Sequence, residues 1–356
     1  MRILIVRFRQ MGDAILATPL LTTLRRSFPD AQIDFVLNER IAPLFEGHPA
    51  ISNIITFSDD ERHHVLTYIN KVWRTVHSTH YDAIIDMRST LNTMLFALFS
   101  LRSSLRIGIR KPYTLGVFNH RYEGCEDNES MIDHNLKLAE PFSKRGELQP
   151  CRELSLSITE EEKSQFRSYM QRQGIDFSRP VMLIGVTAKL DNKTWPEDRM
   201  VQTLARLVNH APQCQLIFNY APGKEAENAH RIYETLTLSA PAAAHSVFMN
   251  IEAKSSRQLA AMAANCTAYF GNEGGARHIV HAMGRPSMVV CSPMASKQTW
   301  LPADTSIPSW GIAASDIADT ATLSYEQQYD LLTVERVWPM LKKFMDSEVL
   351  TASCRA

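Results

Sequence analysis

Short apolar runs that alternate with helical periodicities recur along most of the chain, and this alternation restricts the possible fold more than any other feature. The first run, residues 3–6, is apolar at every position, as expected for a strand buried on both faces of a parallel sheet. A helical pattern follows at residues 14–26, and Pro19 inside it predicts a kink or a break. The alternation predicts a doubly wound, parallel α/β fold.

The alternation is interrupted once and then begins again, which predicts two domains. The first series includes a predicted helix at residues 91–101, and residues 113–156 are irregular and rich in charge. A second series begins at residue 180, and a last helix follows a polar stretch. We therefore expect an N-terminal domain at 1–175, a second domain at 176–330 and a helical tail at 331–356. Ligands bind at the carboxyl ends of parallel strands, so we expect the two sheets to face each other across a ligand-binding cleft.

Composition excludes several classes of protein. The 356 residues contain 38 Lys+Arg and 38 Asp+Glu, so no global basic field indicates a nucleic acid partner. The six cysteines form no CxxC pair, which argues against a zinc site and a disulfide framework. The N-terminal apolar run is too short for a signal peptide, and no stretch reaches the roughly 20 apolar residues of a membrane span. These features predict a soluble, cytoplasmic protein.

Four turns that follow predicted strands carry the candidate chemistry. In the first, Asp13 stands at the start of a helix, where a capping role and a functional role both fit. In the second, Thr187 and Lys193 lie before a helix that Pro196 opens, an arrangement that suits a phosphate but also an ordinary polar loop. In the third, Glu225 begins a helix, where it caps the helix or binds a ribose diol.

The fourth turn is the most specific local signal in the chain. Glu273, Gly274 and Gly275 connect a strand to a helix that carries His278. The two glycines expose backbone N–H groups at a helix N-terminus, which is a ready site for a pyrophosphate. Neither a Gly-x-Gly-x-x-Gly sequence nor a P-loop sequence is present.

Three stretches together, "MRILIVRFRQMGDAILATPLLTTLRRSFP", "KTWP" and "GNEGGARHIVHAMGRP", resemble the heptosyltransferases of lipopolysaccharide core assembly, glycosyltransferase family 9. The resemblance extends over nearly the whole chain. It implies a GT-B fold with two facing Rossmann-like domains. It also implies an inverting glycosyltransferase of the cell envelope, which moves a heptose or related sugar from an ADP-sugar such as ADP-heptose to an inner-core acceptor in lipopolysaccharide biosynthesis.

The resemblance assigns a role to each candidate residue. Asp13 is the general base that deprotonates the acceptor hydroxyl. The donor-binding residues implied are Thr187, Lys193, Glu225, Glu273, Gly274, Gly275, Ala276 and His278. The family usually has Asp and then Ser or Thr where this chain has Glu273 and Gly274, which leaves the donor sugar open.

The partner predicted for the first domain is a phosphorylated lipopolysaccharide core acceptor. Basic residues near Asp13 and after the fifth strand suit such an acceptor, although each also fits a solvated surface. The acceptor-binding candidates are Arg7, Arg9, Arg106 and Arg110. An acceptor of this kind implies peripheral contact with the cytoplasmic face of the inner membrane. No metal or other cofactor is expected, because Lys193 and the helix dipole supply the positive charge.

Three other functions fit the same pattern. A glycosyltransferase of this fold could use a UDP- or GDP-hexose, and the Glu273 departure keeps that alternative open. A sugar-nucleotide epimerase has a similar two-domain shape but would need further acids or histidines at the site. A non-catalytic nucleotide-sugar binding protein is the third alternative.

Overall fold

The computed structural model describes residues 1–8, 10–126 and 128–351 and divides into two compact units, Met1–Ser157 and Ile158–Ala356. The sequence pattern places the change of domain later, at residue 175. The difference arises from the helix Glu160–Arg172, which packs against the helix Ser256–Ala264 of the second unit. Arg257 donates to Glu162 at 2.8 Å across this helix pair, so the Glu160–Arg172 helix belongs to the second unit.

The first unit is built on a parallel sheet whose strands lie in the order β3-β2-β1-β4-β5-β6. Residues 3–6 of β1 are completely buried, as the unbroken apolar run predicts. The strands are β1 (Arg2–Val6), β2 (Gln32–Asn38), β3 (Asn53–Phe57), β4 (Ala83–Asp86), β5 (Leu105–Ile109) and β6 (His120–Tyr122). The sequence did not predict β6, because its three half-buried residues are polar or aromatic and give no apolar run.

In the part of the first unit that the structure describes, six α-helices accompany this sheet. They are α1 (Met11–Ile15), α2 (Thr18–Ser27), α3 (Asp59–His63), α4 (Val65–Ser78), α5 (Leu95–Leu98) and α6 (Met131–Lys137). The break predicted at Pro19 is confirmed, since α1 ends at Ile15 and the proline lies in the first turn of α2. The predicted helix at 91–101 is wrong, because only α5 is helical there. Thr90 and Thr93 bond each other's backbone N–H groups at 2.9 and 3.3 Å, and this local turn competes with the helix.

The second unit repeats the strand order of the first. Its parallel sheet runs β12-β11-β10-β7-β8-β9, so β7 corresponds to β1 and β10 to β4. The strands are β7 (Val181–Gly185), β8 (Gln215–Asn219), β9 (Val247–Phe248), β10 (Ala268–Asn272), β11 (Ser287–Val290) and β12 (Ser309–Ile312). Strand β12 was not predicted, because its four residues begin with Ser309 and include Gly311, so they form no apolar run.

Up to residue 351, where the described part of the second unit ends, eight α-helices belong to it. They are α7 (Glu160–Arg172), α8 (Glu197–His210), α9 (Lys224–Ser239), α10 (Ser256–Ala264), α11 (Gly275–Ala282), α12 (Lys297–Trp300), α13 (Tyr325–Leu331) and α14 (Val334–Phe344). A π-helical turn, Met345–Val349, continues α14. The predicted tail is part of this unit's core, since Val337, Leu341 and Phe344 are completely buried in it. Among the described helices, none is long and apolar enough to cross a membrane.

Each sheet has one topological switch point, between its two central strands. The chain leaves β1 toward β2 and β3 and then returns to the other side at β4, and β7 and β10 have the same relationship. Ligands of doubly wound sheets bind in the crevice at the carboxyl ends of these two strands. We therefore expect a ligand-binding site among the residues that follow β1, β4, β7 and β10.

Candidate functional site

At the switch point of the first unit, two arginines tie the loops after β1 and β4 together. Nη1 of Arg7 donates to the carbonyl of Met87 at 2.9 Å, and Nη1 of Arg88 donates to the carbonyl of Phe8 at 2.8 Å. Each loop therefore carries an arginine that donates a hydrogen bond to a backbone carbonyl of the other loop. This exchange fixes the strand ends and places positive charge at the edge where ligands of such sheets bind.

Asp13 lies beside this exchange. It occupies the third position of α1 and is buried, with its Oδ1 3.1 Å from Nη2 of Arg7. The residue that caps α1 is Gln10, so Asp13 is not the N-cap. A carboxylate in the first helical turn is stabilised by the helix dipole and, here, by a buried guanidinium. The structure thus brings Asp13 and Arg7 together at the switch point, a contact that the sequence analysis did not anticipate.

The other predicted acceptor residues lie in different surroundings. Arg106 is the second residue of β5, at the opposite end of the strands from Asp13, and donates to the carbonyls of Val117, Leu101 and Ser103 at 2.8–2.9 Å. These hydrogen bonds connect the backbone segments before and after β5 to the start of that strand. Arg110 follows the end of β5 and pairs with Glu123 at 3.1 Å on the surface. Arg9 lies outside the described residues. Acceptor binding by these residues stays a prediction.

The first unit contains a cavity of about 600 Å³ that no sequence pattern predicted. Its lining combines cationic, aromatic and hydroxyl side chains, among them Phe8, Arg62, His63, Arg88, Thr93 and Tyr113. The Arg62 guanidinium lies 5.2 Å from the centre of the Phe8 ring, and the Tyr113 hydroxyl donates to the Ser89 carbonyl at 3.1 Å. No sequence signal marks this cavity, because the segments after β1, β3, β4 and β5 that form it are distant in sequence.

In the second unit, the loops after β7 and β8 bring two predicted donor residues together. The Thr187 hydroxyl donates to Oε2 of Glu225 at 3.2 Å. The same oxygen accepts from the backbone N–H of Ala221 at 3.3 Å. Gly223, at φ +84°, makes the turn that places Glu225 in the first turn of α9. The carboxylate is thus oriented by two donors to its Oε2.

Asn272 links the two central strands of the second sheet at their carboxyl ends. Its amide donates to the carbonyls of Gly185 and Val186, both at 3.0 Å, and its oxygen accepts from the Trp195 backbone at 2.7 Å. Lys193 lies half-buried in the short turn just before Trp195. Asn272 was not among the predicted residues, although its position directly before Glu273 was a signal. It positions the backbone on which the predicted donor residues stand.

The N-terminus of α11 carries the remaining predicted residues. Gly274 is exposed, and Gly275 and Ala276, both half-buried, form the first positions of the helix. Oε2 of Glu273 accepts from the Ser292 backbone at 3.3 Å. His278 is buried, and burial together with the charge of Arg277 lowers its pKa well below the ordinary value. The imidazole is therefore neutral, and the helix N-terminus presents N–H groups suited to an anion.

One group of metal-ligand residue types is present in the described part of the chain. Cys125, Glu129 and His134 place ligand atoms within 4.8 Å of one another in the first unit. Glu129 already pairs with Lys137 at 2.5 Å and with His134 at 3.3 Å. The carboxylate is thus already engaged by the Lys137 ammonium and by an imidazole whose pKa burial lowers, and the group lies outside the predicted donor residues.

Two doubly wound sheets with the same strand order, each with candidate residues at its carboxyl ends, match the GT-B fold of the solved structure of E. coli ADP-heptose lps heptosyltransferase II. The profile described as "Glycosyltransferase family 9 (heptosyltransferase)" matches residues 69–320 of the chain. The chain belongs to glycosyltransferase family 9 and is a glycosyltransferase.

Individual relatives are distant in sequence but similar in fold. "Lipopolysaccharide heptosyltransferase 1" of Campylobacter coli is 19% identical over 82% of this chain and 83% of its own length. The structure of E. coli ADP-heptose lps heptosyltransferase II is 20% identical, with a TM-score of 0.76 over 98% of this chain and 99% of that one. E. coli heptosyltransferase WaaC with ADP-2-deoxy-2-fluoro heptose is 17% identical, with a TM-score of 0.66 over 96% of this chain and 99% of that one.

Proposed function

We propose that this chain transfers a heptose or a closely related sugar from an ADP-sugar to a lipopolysaccharide inner-core acceptor, with inversion. The observation that carries the proposal is the Thr187–Glu225 pair at the carboxyl ends of β7 and β8, with the N-terminus of α11 following the neighbouring strand β10. One feature suits a ribose and the other a pyrophosphate. The related E. coli enzyme in complex with ADP-2-deoxy-2-fluoro heptose supports an adenine nucleotide as the carrier.

Different segments of the second unit bind different parts of the donor. The Glu225 carboxylate accepts hydrogen bonds from the ribose hydroxyls, with Thr187 fixing its orientation. The N–H groups of Gly274, Gly275 and Ala276 bind the pyrophosphate, and Lys193 adds a cation on the donor side. These donors stabilise the negative charge that develops on ADP as the glycosidic bond breaks. His278 orients this turn as a neutral group.

On the acceptor side, Asp13 acts as the general base. Inversion by a single displacement needs a base that removes the proton from the attacking hydroxyl. The Asp13 carboxylate stands at the carboxyl end of β1 with one oxygen held by Arg7, so its orientation is fixed before substrate binds. Proton transfer to such a positioned base contributes roughly 10²–10⁴ in rate.

The acceptor itself is proposed to bind the cationic cavity after β1 and β4. Arg62 and Arg88 supply positive charge there, and Tyr113 and Phe8 supply ring surfaces for sugar contacts. Arg110, near the same strand ends, and Arg7 extend the positive field, whereas Arg106 stands at the other end of β5. An inner-core sugar that carries carboxylate or phosphate groups complements this charge.

The donor sugar is the open element of the proposal. Glu273 reaches one methylene further than the usual aspartate, and Gly274 lacks the usual hydroxyl. We propose that this pair sets the choice between heptose and a related sugar. A UDP- or GDP-hexose donor and a non-catalytic nucleotide-sugar binding role are the alternatives.

A nucleotide-binding panel followed by a transfer assay tests the function. We expect ADP to bind at least ten-fold more tightly than UDP or GDP, and at 100 times its dissociation constant it would stabilise the protein by about 2.7 kcal/mol. Release of ADP from ADP-heptose should require an inner-core acceptor. Preference for UDP would contradict the ADP-sugar proposal, and tight ADP binding without transfer to any inner-core acceptor would favour the non-catalytic role.

The proposed reaction also has consequences for metal dependence and for where in the cell the enzyme works. We propose that transfer needs no metal, so activity should persist after extensive treatment with a chelator. We also propose that the enzyme works at the cytoplasmic face of the inner membrane through peripheral contact. Sedimentation with vesicles that contain anionic lipid at low salt tests that contact, with zwitterionic vesicles as the control. Equal recovery with both kinds of vesicle would contradict it.

A further inference from the structure

Arg277 is a cation buried in the first turn of α11. It is the third residue of the helix and is only 1% exposed. The first turn, Gly275-Ala276-Arg277, contains no acid. Positive charge at a helix N-terminus opposes the helix dipole, and burial of a charge costs further free energy. The position is therefore unfavourable for an arginine in the absence of a compensating anion.

The hydrogen bonds of Arg277 leave much of its guanidinium unused. Nη2 donates to the Trp300 carbonyl at 2.7 Å and lies 3.0 Å from Nε2 of His278. Nε and Nη1 have no hydrogen-bond partner among the described residues. A guanidinium has five N–H donors, so three of them are buried without a partner. Buried donors of this kind normally find a partner, because leaving them unpaired costs free energy.

The charge of Arg277 is also not neutralised by contact. Burial lowers the pKa of Arg277, and the negative charge of Glu273 opposes that shift. No ion pair joins these two side chains in the described part of the chain, and the Glu273 carboxylate instead accepts from the Ser292 backbone. Replacement of such a buried charge by an apolar side chain would usually be neutral or stabilising. The arginine is thus better explained by a ligand than by the stability of the unit.

The surroundings of Arg277 indicate what kind of ligand this is. The hydrogen bond to the Trp300 carbonyl and the effect of the Glu273 charge place the Arg277 guanidinium near Glu273, the residue directly before Gly274. A guanidinium nitrogen can only donate, so the ring nitrogen of His278 that it faces is unprotonated. Arg277 therefore adds a fixed positive charge to the helix dipole and holds a neutral imidazole in place.

We propose that Arg277 is a positioning residue of the donor site, whose buried charge strengthens the binding of a nucleoside diphosphate at the N-terminus of α11. This inference rests on the proposed function and assigns to the chain a source of charge besides Lys193. If the inference holds, Arg277 contributes to the binding free energy of the phosphate groups alone. The neutral nucleoside part of the ligand should not be affected.

Calorimetric titration of Arg277→Met with ADP and with adenosine tests the inference. We expect ADP to bind at least ten-fold more weakly than to the wild type, and adenosine to bind within two-fold of it. Arg277→Lys retains the charge and should bind ADP within about three-fold of the wild type. The melting temperature of ligand-free Arg277→Met should equal or exceed that of the wild type, because an unpaired buried charge is removed.

Arg285→Met is the matched control. Arg285 follows the C-terminal end of the same helix and donates to the Ala264 carbonyl at 2.7 Å, so its loss should leave both affinities unchanged. Equal weakening of ADP and adenosine in Arg277→Met, or unchanged ADP binding, would overturn the inference. The same would follow if Arg277→Lys were as weak as Arg277→Met.

The titrations also distinguish this inference from the proposed function. If the wild type prefers UDP, the ADP-sugar proposal fails, and the comparison of UDP with uridine then tests Arg277 in the same variants. If the wild type binds no nucleoside diphosphate, both are overturned.

Discussion

Arg7 and Asp13 form a buried ion pair at the carboxyl end of β1, with Nη2 3.1 Å from Oδ1. The arginine also donates to the Met87 carbonyl after β4, so the pair is anchored to both central strands of the sheet. A carboxylate that works as a base must keep its orientation, and this arginine restricts it. The pair therefore explains how a residue in a five-residue helix is held in one geometry.

Replacement of Asp13 by Asn should remove turnover and leave nucleotide binding intact. The amide oxygen still accepts from Arg7, so the local structure is retained, but the general base is lost. We expect kcat to fall by roughly 10²–10⁴, with unchanged ADP affinity, because the proposed donor residues belong to the second unit. Asp30→Asn, at an exposed position of the first unit, is the control and should keep full activity. Full activity in Asp13→Asn would remove Asp13 from the mechanism.

Replacement of Glu225 by Gln should reduce the ability of the site to recognise ribose. A charge-assisted hydrogen bond contributes roughly 1.5–3 kcal/mol, so ADP should bind about ten-fold more weakly or worse. The wild type should discriminate ADP from 2′-deoxy-ADP, and this discrimination should shrink in the variant. Glu227→Gln, on an exposed position of the same helix, should change neither value. Calorimetric titration of each protein with ADP and with 2′-deoxy-ADP measures this discrimination. If Glu225→Gln discriminates between the two nucleotides as well as the wild type does, the ribose assignment is refuted.

Gly185→Ala should destabilise the second unit. A methyl group at this position would come within 1.8 Å of the hydroxyl of Tyr269, a residue with no room to move because it is buried. Overpacking of this kind costs about 1–3 kcal/mol or more. Gly274→Ala is the control, since a methyl group there meets no described atom within 4 Å. Chemical denaturation should show the loss only for Gly185→Ala, and Tyr269→Phe should relieve part of it.

His48 should make the protein less stable as the pH falls below neutrality. Burial lowers its pKa from 6.5 to about 4, and its Nδ1 accepts from the Ala50 N–H, which requires a neutral ring. Because the unfolded chain takes up a proton near pH 6.5 and the folded chain does so only near pH 4, stability is lost as pH falls through this window. At pH 5 the loss is on the order of 2 kcal/mol.

Denaturation of the full chain at pH 7 and pH 5 measures this dependence. His48→Gln should lose less stability between these two values than the wild type, because the titrating group is absent. His281, whose pKa burial also lowers to about 4, should act in the same direction. An identical pH dependence in the wild type and His48→Gln would show that His48 does not titrate on unfolding.

Much of the fold was readable from the sequence, because buried parallel strands need unbroken apolar runs and helices need regular spacing. The strand at residues 3–6 and the break at Pro19 are confirmed in this way, and the GT-B fold that the family resemblance implied is confirmed as well. The short strands β6 and β12 were missed because half-buried edge strands carry polar residues. The helix predicted at 91–101 failed because threonine hydroxyls formed a turn there instead.

The sequence also indicated which residue types stand at the strand ends, since those turns are local. It placed Thr187 and Glu225 in separate loops, and only the pairing of β7 with β8 brought them to 3.2 Å. The Arg7–Asp13 pair, the cavity lined by Arg62 and Arg88, and the buried unpaired charge of Arg277 depend on side-chain directions and packing between distant segments. Local sequence thus determined the elements and their turns. The tertiary structure alone decided which charges are buried, paired or left for a ligand, because burial is a property of contacts between distant segments.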